Sequence, residues 1–459
     1  HESEPEGAGA MAQVANHSRR YLAFVIAAST VGSAIEWYDF YIFGSLASIL
    51  ATHFFAKDDP VAGLLNTIAV FTIGFLFRPL GAILFGWYGD KIGRKRVFLL
   101  TLLGMGLGTA LIGVLPTYAT IGVLAPILVF LLRVIQGLSV GGEWGGALTY
   151  VAEHAPDGKR GLYTGLLSPA AIYGLIISFF VVLGTRTALG EDAFRAWGWR
   201  IPFLLSLLLV LVSLYVWLRL QETPMFAELK ARRAVVRNPL KVTFTGENLR
   251  RVLIAAAVSF GQAVAWYTAI FWALFFLQTA QKLDLITTYK ILLPGLIIAP
   301  ILHVIMGWLS DSIGRKPIVL TGFALAIVGF YPLYTLLGRF AQKDNLQYWP
   351  AVLTVTAMMV IAAMVWGPLP ALLAEYFPTQ VRYTSLGVVQ NAANGWGGGL
   401  VPYVTTWIQT ATGNLMWALV YPIALPLVGL VVGLLFLPET ARQRLWEQPG
   451  AAMATGEGE

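Results

Sequence analysis

The chain has 459 residues, 57% of them hydrophobic and 12% charged, with a formal net charge of +7; its mean hydropathy is +0.70. Soluble domains carry roughly 25% charge, so an ordinary soluble fold is excluded, and abundant aromatic residues exclude disorder. There is no Cys, which removes disulfides, Cys-ligated zinc, iron–sulfur clusters and thiol nucleophiles.

Residues 1–10 are polar, precede Met11 and read as a tag, so 1–20 is taken as a tail outside the fold. No cleavable signal is expected, because the first apolar run is too long. Apolar runs then follow at approximately 21–50, 62–88, 97–115, 120–150, 161–183, 201–219, 252–279, 288–310, 317–338, 350–373, 383–408 and 415–437. About 20 helical residues cross a hydrocarbon core of ~30 Å. The expected fold class is therefore an all-α membrane protein with twelve transmembrane helices. One long polar connection, 220–251, splits it into a six-helix bundle at 21–219 and another at 252–437, with a tail at 438–459.

Of the 31 Lys and Arg residues, 21 fall on the chain ends and even-numbered connections and 8 on the odd ones. Positive charge is retained on the cytoplasmic side. Both termini and the linker are thus expected in the cytoplasm, and the net charge reads as an orientation signal rather than a nucleic-acid one.

The halves repeat. Gly86-Trp-Tyr-Gly-Asp90-Lys-Ile-Gly93-Arg94-Lys95 returns 221 residues later as Gly307-Trp-Leu-Ser-Asp311-Ser-Ile-Gly314-Arg315-Lys316. Glu153 and Arg160 return as Glu375 and Arg382, and Glu222-Thr223 as Glu439-Thr440. A six-helix repeat gives parallel halves about an axis along the membrane normal, as in alternating-access transporters.

Gly86, Asp90, Gly93, Arg94 and Lys95 resemble the loop signature of the major facilitator superfamily. Glu36-Trp-Tyr-Asp39-Phe, Gly74-Phe-Leu-Phe-Arg78-Pro-Leu-Gly, Arg133-Val-Ile-Gln136-Gly137 running on to Gly142-Glu143-Trp, and Trp197-Gly-Trp-Arg200-Ile-Pro202-Phe are similar, more narrowly, to the metabolite:proton symporter family, whose members are sugar-porter-like. The resemblance spans residues 20–440, with Ser312 in place of the Lys91 of the first copy as one departure. It implies two pseudo-symmetric six-helix bundles and proton-driven import of small polar metabolites: dicarboxylates, tricarboxylates, shikimate-like acids, or osmolytes such as proline and betaine.

A mid-membrane charge costs at least about 2.5–3.5 kcal/mol, so each one calls for a partner or a purpose. The first half carries five, Glu36, Asp39, Arg78, Arg133 and Glu143; the second has none deep in a span, only His303 and neutral polar residues. Glu36 and Asp39 share a helical face, and helical rise puts them near the depth of Arg133. An acid and an Arg that part as domains rock would let the acid take up a proton. A static ion pair is the alternative reading. The resemblance implies the same first-helix acid with a fourth-helix Arg, matched by Asp39 and Arg133. Glu36 and Glu143 are further candidates for coupling.

Arg78 suits a planar carboxylate, or else pairs permanently with Glu143. Tyr38, Gln262, Tyr267, Trp366, Gln390, Asn391 and Asn394 are candidate substrate contacts, since neutral amides and hydroxyls bind polar solutes without adding charge. Polar glue between helices is the alternative for these. The resemblance implies that helix seven, with Gln262 and Tyr267, faces the cavity. His303 reads as a satisfied structural group, and no second ligand at helical spacing accompanies it, so no metal site is expected. Asp90, Arg94, Glu153, Arg160, Asp311, Arg315, Glu375 and Arg382 crowd one membrane face as a candidate cytoplasmic gate, or as topological anchors.

There is no GxxxxGK[ST] loop, paired-His motif or Ser–His–Asp set, so an enzyme is not expected, and transport without ATP must be driven by a gradient. The expected function is proton-coupled import of a small polar organic acid or zwitterion by alternating access in the cell (inner) membrane. The alternatives are a uniporter, a proton-antiport exporter, or a sensor that binds without transporting. Protons are the only coupling ion expected, with no cofactor. The lipid bilayer and a small metabolite are the expected partners, nucleic acid is not, and a monomer suffices.

Overall fold

The computed structural model describes residues 6–55, 60–219, 238–443 and 445. Residues 1–5 of the expected tail, 220–237 of the linker and most of the region after 443 lie outside the described residues.

Each expected span falls on helix. Helix one is Glu6–Ser45, continued by Ala47–Phe54. Helix two is Pro60–Leu76 and Arg78–Ile92, three is Arg94–Val114, and four is Leu124–His154. Helix five is Arg160–Leu167 and Ala170–Leu189, and six is Arg200–Leu204 and Ser206–Leu218. In the second half, helix seven is Gly246–Thr279, eight is Leu285–Ile313, and nine is Arg315–Phe340. Helix ten is Tyr348–Trp366 and Leu369–Tyr376, eleven runs from Arg382 to Thr412, and twelve is Leu415–Phe436.

Among the described residues, nine helices are long and apolar enough to cross a membrane unaided, or ten if the pair bent by 51° at helix six counts as one span. Helices one and eleven are the remaining two. Helix one is long, but Glu36, Asp39 and its Ser and Thr residues dilute its apolar character. Helix eleven is interrupted by a π turn at Ala393–Gly397 and a 3-10 turn at Gly398–Leu400, within its run of glycines.

Glycines set how closely the helices approach. A Cβ on Gly137 would stand 2.1 Å from the Gly74 carbonyl oxygen, one on Gly141 2.1 Å from that of Arg78, and one on Gly81 2.1 Å from that of Leu138. Helices two and four therefore pack backbone to backbone, which small residues at spacing four permit. Across the halves, Gly161 of helix five and Gly307 of helix eight meet in the same way. Gly141→Ala is expected to wedge helices two and four apart at a cost of about 1–3 kcal/mol. Thermal unfolding in detergent should show a lowered Tm, whereas Gly184→Ala, inside helix five with nothing within 4 Å of the added Cβ, should not lower it.

Candidate functional site

Proline has no N–H, so Pro79 cannot bond the Phe75 carbonyl one turn back, and helix two breaks at Phe77. That break carries Arg78, which is fully buried in mid-bundle. Its Nε donates to Asn391 Oδ1 of helix eleven at 3.0 Å, and its Nη1 to the Tyr267 hydroxyl of helix seven at 3.5 Å. The Tyr267 hydroxyl lies 2.7 Å from the Tyr41 hydroxyl of helix one. Asn391 Nδ2 also donates to the Gly141 carbonyl at 2.9 Å. The guanidinium sits 4.8 Å from the Trp37 ring centroid, with Phe75 and Phe40 at 5.8 and 6.0 Å. Its Nη2 has no hydrogen-bond partner among the described residues. A single cation, boxed by aromatic rings, thus ties the first half to the second with a donor left over.

Of the expected substrate contacts, the structure brings Arg78, Tyr267 and Asn391 together. Gln262 lies on the same helix as Tyr267, buried, its Oε1 without a partner among the described residues. Gln390 donates to Ser259 Oγ at 3.1 Å, and Asn394 donates to Gln390 Oε1 at 2.9 Å, a polar net internal to the second half. Trp366 Nε1 donates across the halves to the Ser168 carbonyl at 2.7 Å. Tyr38 is not in the cluster: its hydroxyl donates to the Pro202 carbonyl of helix six at 2.5 Å. Trp37 and Tyr41, one turn apart and stacked at 4.9 Å, take the place expected of it. The signal that could have found them is their i, i+4 spacing on helix one.

The expected pairing of Arg133 with Asp39 or Glu36 is not made in this conformation. Arg133 Nη1 donates to the Phe40 carbonyl at 3.1 Å and to Gln136 Oε1 at 2.8 Å, and Nη2 to the Phe71 carbonyl at 2.7 Å. Three acceptors and the rings of Phe40, Phe43 and Phe71 within 5.2 Å hold the cation without a carboxylate, with only its Nε lacking an acceptor among the described residues. Gln136 in turn donates to Thr109 Oγ1 at 2.8 Å. Asp39 is buried, forms no ion pair among the described residues, and its Oδ1 has no partner. Glu36 is buried on the same helix. The side chain of Glu143 lies outside those described, and with it the alternative of a pair to Arg78.

His303 is fully satisfied: Trp266 Nε1 donates to its Nε2 at 3.3 Å and its Nδ1 meets the Ala299 carbonyl at 2.7 Å, which makes it a neutral ring with the proton on Nδ1. Among the described residues no three His, Cys, Asp or Glu residues converge to hold a metal.

At one end of the bundle the expected gate residues converge. Asp90 accepts from the backbone N–H and hydroxyl of Thr384, at the start of helix eleven. Asp311 accepts from the N–H groups of Gly161 and Leu162 at 2.8 and 2.9 Å, at the start of helix five. Each half thus caps a helix of the other at equivalent positions, where a carboxylate suits the positive end of the helix dipole. Arg160 pairs with Glu375 at 3.1 Å and Asp157 at 2.5 Å. Arg315 pairs with Glu375 and, at 3.1 Å, with Asp311. Arg382 pairs with Glu153 at 3.3 Å. Tyr383 adds a bond to the Gly142 carbonyl at 2.7 Å that sequence reasoning missed. The side chain of Arg94 lies outside those described.

The opposite end is closed by aromatics. Phe179 and Tyr289 stack at 3.9 Å, the Tyr289 hydroxyl donates to the Ser45 carbonyl at 2.5 Å, and Phe271 lies 4.5 Å from Tyr41 and 5.9 Å from Phe71. The Arg78 cluster is occluded from both sides.

A family model described as Major Facilitator Superfamily matches residues 29–402 and 296–455. The chain is 34% identical over 415 residues to the inner membrane metabolite transport protein YhjE of Escherichia coli K12, covering 88% of this chain and 93% of that protein. It is 33% identical over 436 residues to a proline/betaine transporter of Salmonella typhimurium, covering 92% and 84%. To the shikimate transporter of Escherichia coli K12 it is 32% identical over 415 residues, covering 89% and 92%. Among solved structures, the proton:xylose symporter XylE bound to 6-bromo-6-deoxy-D-glucose superposes with a TM-score of 0.75 at 20% identity, over 95% of this chain and 99% of that one. This last likeness concerns the fold alone.

Proposed function

The chain belongs to the major facilitator superfamily, and from that premise we propose that this multi-pass membrane transporter imports a small carboxylate-bearing metabolite, an organic acid or a zwitterion, together with protons. The observation that carries the reading is Arg78: buried, shared by both halves, and holding an unused donor among aromatic faces. A guanidinium is built for bidentate carboxylate binding. A substrate carboxylate arriving at Nη1 and Nη2 displaces the long Tyr267 contact and leaves Nε on Asn391. The aromatic rings then receive the rest of a compact molecule, and a quaternary ammonium would gain from the same faces. The named substrates of two relatives, proline or betaine and shikimate, all fit this description.

Coupling is assigned to Asp39, a buried acid that forms no ion pair among the described residues. Rocking of the two halves alternately wets and dries its surroundings, and a carboxyl group moved between such settings exchanges its proton with water. The clustered charges mark the cytoplasmic gate in this reading, as the Lys and Arg distribution supports.

Reconstituted protein with an inward proton gradient is the test, with proline, betaine and shikimate as labelled solutes. Accumulation that a protonophore abolishes is expected. Arg78→Lys, which keeps the charge but loses the fork, is expected to lower kcat/KM by roughly tenfold or more, the worth of one charge-assisted hydrogen bond. Equilibration without accumulation would indicate a uniporter, gradient-driven efflux an exporter, and binding without movement a sensor.

A further inference from the structure

Away from the Arg78 cluster, the end opposite the charged one holds a cavity of about 960 Å³. Its walls come from both halves of the chain. Helix two supplies Leu64 and Leu65; helices seven, nine, eleven and twelve supply Phe276, Gln278, Tyr331, Thr335, Thr406, Gln409 and Leu415. Three polar atoms on these walls, Thr335 Oγ1, Thr406 Oγ1 and Gln409 Oε1, are shielded from solvent and have no hydrogen-bond partner among the described residues. Thr406 is only 1% exposed. Buried polar groups in folded proteins are nearly always satisfied, and each exception calls for an explanation.

The charges are one-sided. Lys282 and Arg339 line this cavity; among the described residues no acidic side chain lines it and neither cation forms an ion pair. Lys282 holds a backbone φ of 56°, the one positive value outside glycine among the described residues; such strain collects at functional loops. A neighbouring cavity of about 240 Å³ shares Leu64 and Gln278 and contains Arg186, Arg195 and Asp284. Arg186 and Arg195 are both paired with Glu191, at 2.7 and 3.0 Å, so the uncommitted positive charge belongs to the larger cavity.

We propose that this cavity is a second binding site, separate from the Arg78 cluster, for a small organic acid that also carries a hydroxyl or N–H donor. Its carboxylate meets Lys282 and Arg339, its donor meets Gln409 Oε1 once that side chain turns into the cavity, and its carbon skeleton lies against Leu64, Leu65, Phe276 and Leu415. Because helix two belongs to one half and the other walls to the second, relative motion of the halves reshapes the site, and its ligand favours the conformation that preserves it. The binding claim stands apart from the transport reading. Only the role of the site as a waiting station for transported molecules rests on the proposed function.

The absence of Cys makes the test direct. In an Arg78→Ala background, which disables the central cluster, Gln409→Cys and separately Thr335→Cys are each reacted with negatively charged sulfonatoethyl methanethiosulfonate and with its trimethylammonium counterpart. The anionic reagent is expected to react at least about tenfold faster relative to its rate on a free thiol, the scale on which a charged cleft concentrates a counter-ion. Lys282→Ala combined with Arg339→Ala should erase that preference. Shikimate should protect the Thr335→Cys thiol, whose variant keeps Lys282, Arg339 and Gln409, in the Arg78→Ala background, and its methyl ester should not. Equal rates for the two reagents, a preference that survives loss of both cations, or no protection by shikimate would each overturn the proposal. Loss of transport in Arg78→Ala with protection intact separates this site from the central one.

Discussion

Asp39→Asn is expected to stop accumulation of substrate against its gradient while exchange of labelled for unlabelled substrate continues. Asn has nearly the shape of the neutral carboxyl group and cannot carry a proton. Asp39 is 1% exposed, its Oδ1 meets no donor, and the guanidinium expected beside it is occupied by main-chain oxygens and Gln136. Swapping one carboxyl oxygen for an amide should therefore disturb little in packing. A proton carried with a zwitterion such as betaine moves one net charge, for which about 100 mV supplies about 2.3 kcal/mol, enough for a roughly 50-fold concentration ratio at about 1.4 kcal/mol per tenfold. In proteoliposomes that ratio should fall to about one in the variant, with counterflow retained. An Asp39→Asn protein that concentrates substrate as the wild type does would remove Asp39 from the coupling step.

The second large effect is expected at Glu375. This carboxylate receives Arg160 from the first half and Arg315 from the second, all three side chains being nearly or fully inaccessible. Removing one member of a buried ion cluster leaves its partners uncompensated and costs about 3–5 kcal/mol. Asp157 still holds Arg160 and Asp311 still holds Arg315, which places Glu375→Ala toward the lower end, roughly 3 kcal/mol. Much of that loss falls on the conformation in which this end is shut, because the three groups meet only there. A Cys placed at the buried Thr164 should label faster in Glu375→Ala than in the parent, and Tm should drop by several degrees. Unchanged labelling would mean that the cluster anchors the helices without latching them.

Much of this architecture was legible in the sequence because its signals are one-dimensional. Apolar runs give the helices, and copies of Asp90, Glu153 and Arg160 at a nearly constant offset identify the residues that meet at the charged end. The offset even anticipates the symmetry of their contacts, since Leu162 and Thr384 occupy corresponding positions. The central site was harder to read, for it depends on how each helix is rotated about its axis. Tyr38 and Tyr41 are both buried tyrosines on helix one, yet one turns to Pro202 and the other to Tyr267. The surroundings of Arg133 were hidden for another reason: its partners are carbonyl oxygens, which every residue possesses. The interruption of helix eleven was suggested by its glycines, but its form depends on Gly395 and Gly399 lying against Phe75 of helix two.

The crossed carboxylates at the charged end have a further consequence. Asp90 and Asp311 sit on opposite halves, and each reaches for backbone on the other, so a single hinge-like tilt must unclasp both together. Both contacts cross the same seam, so the halves cannot separate at this end while either one holds.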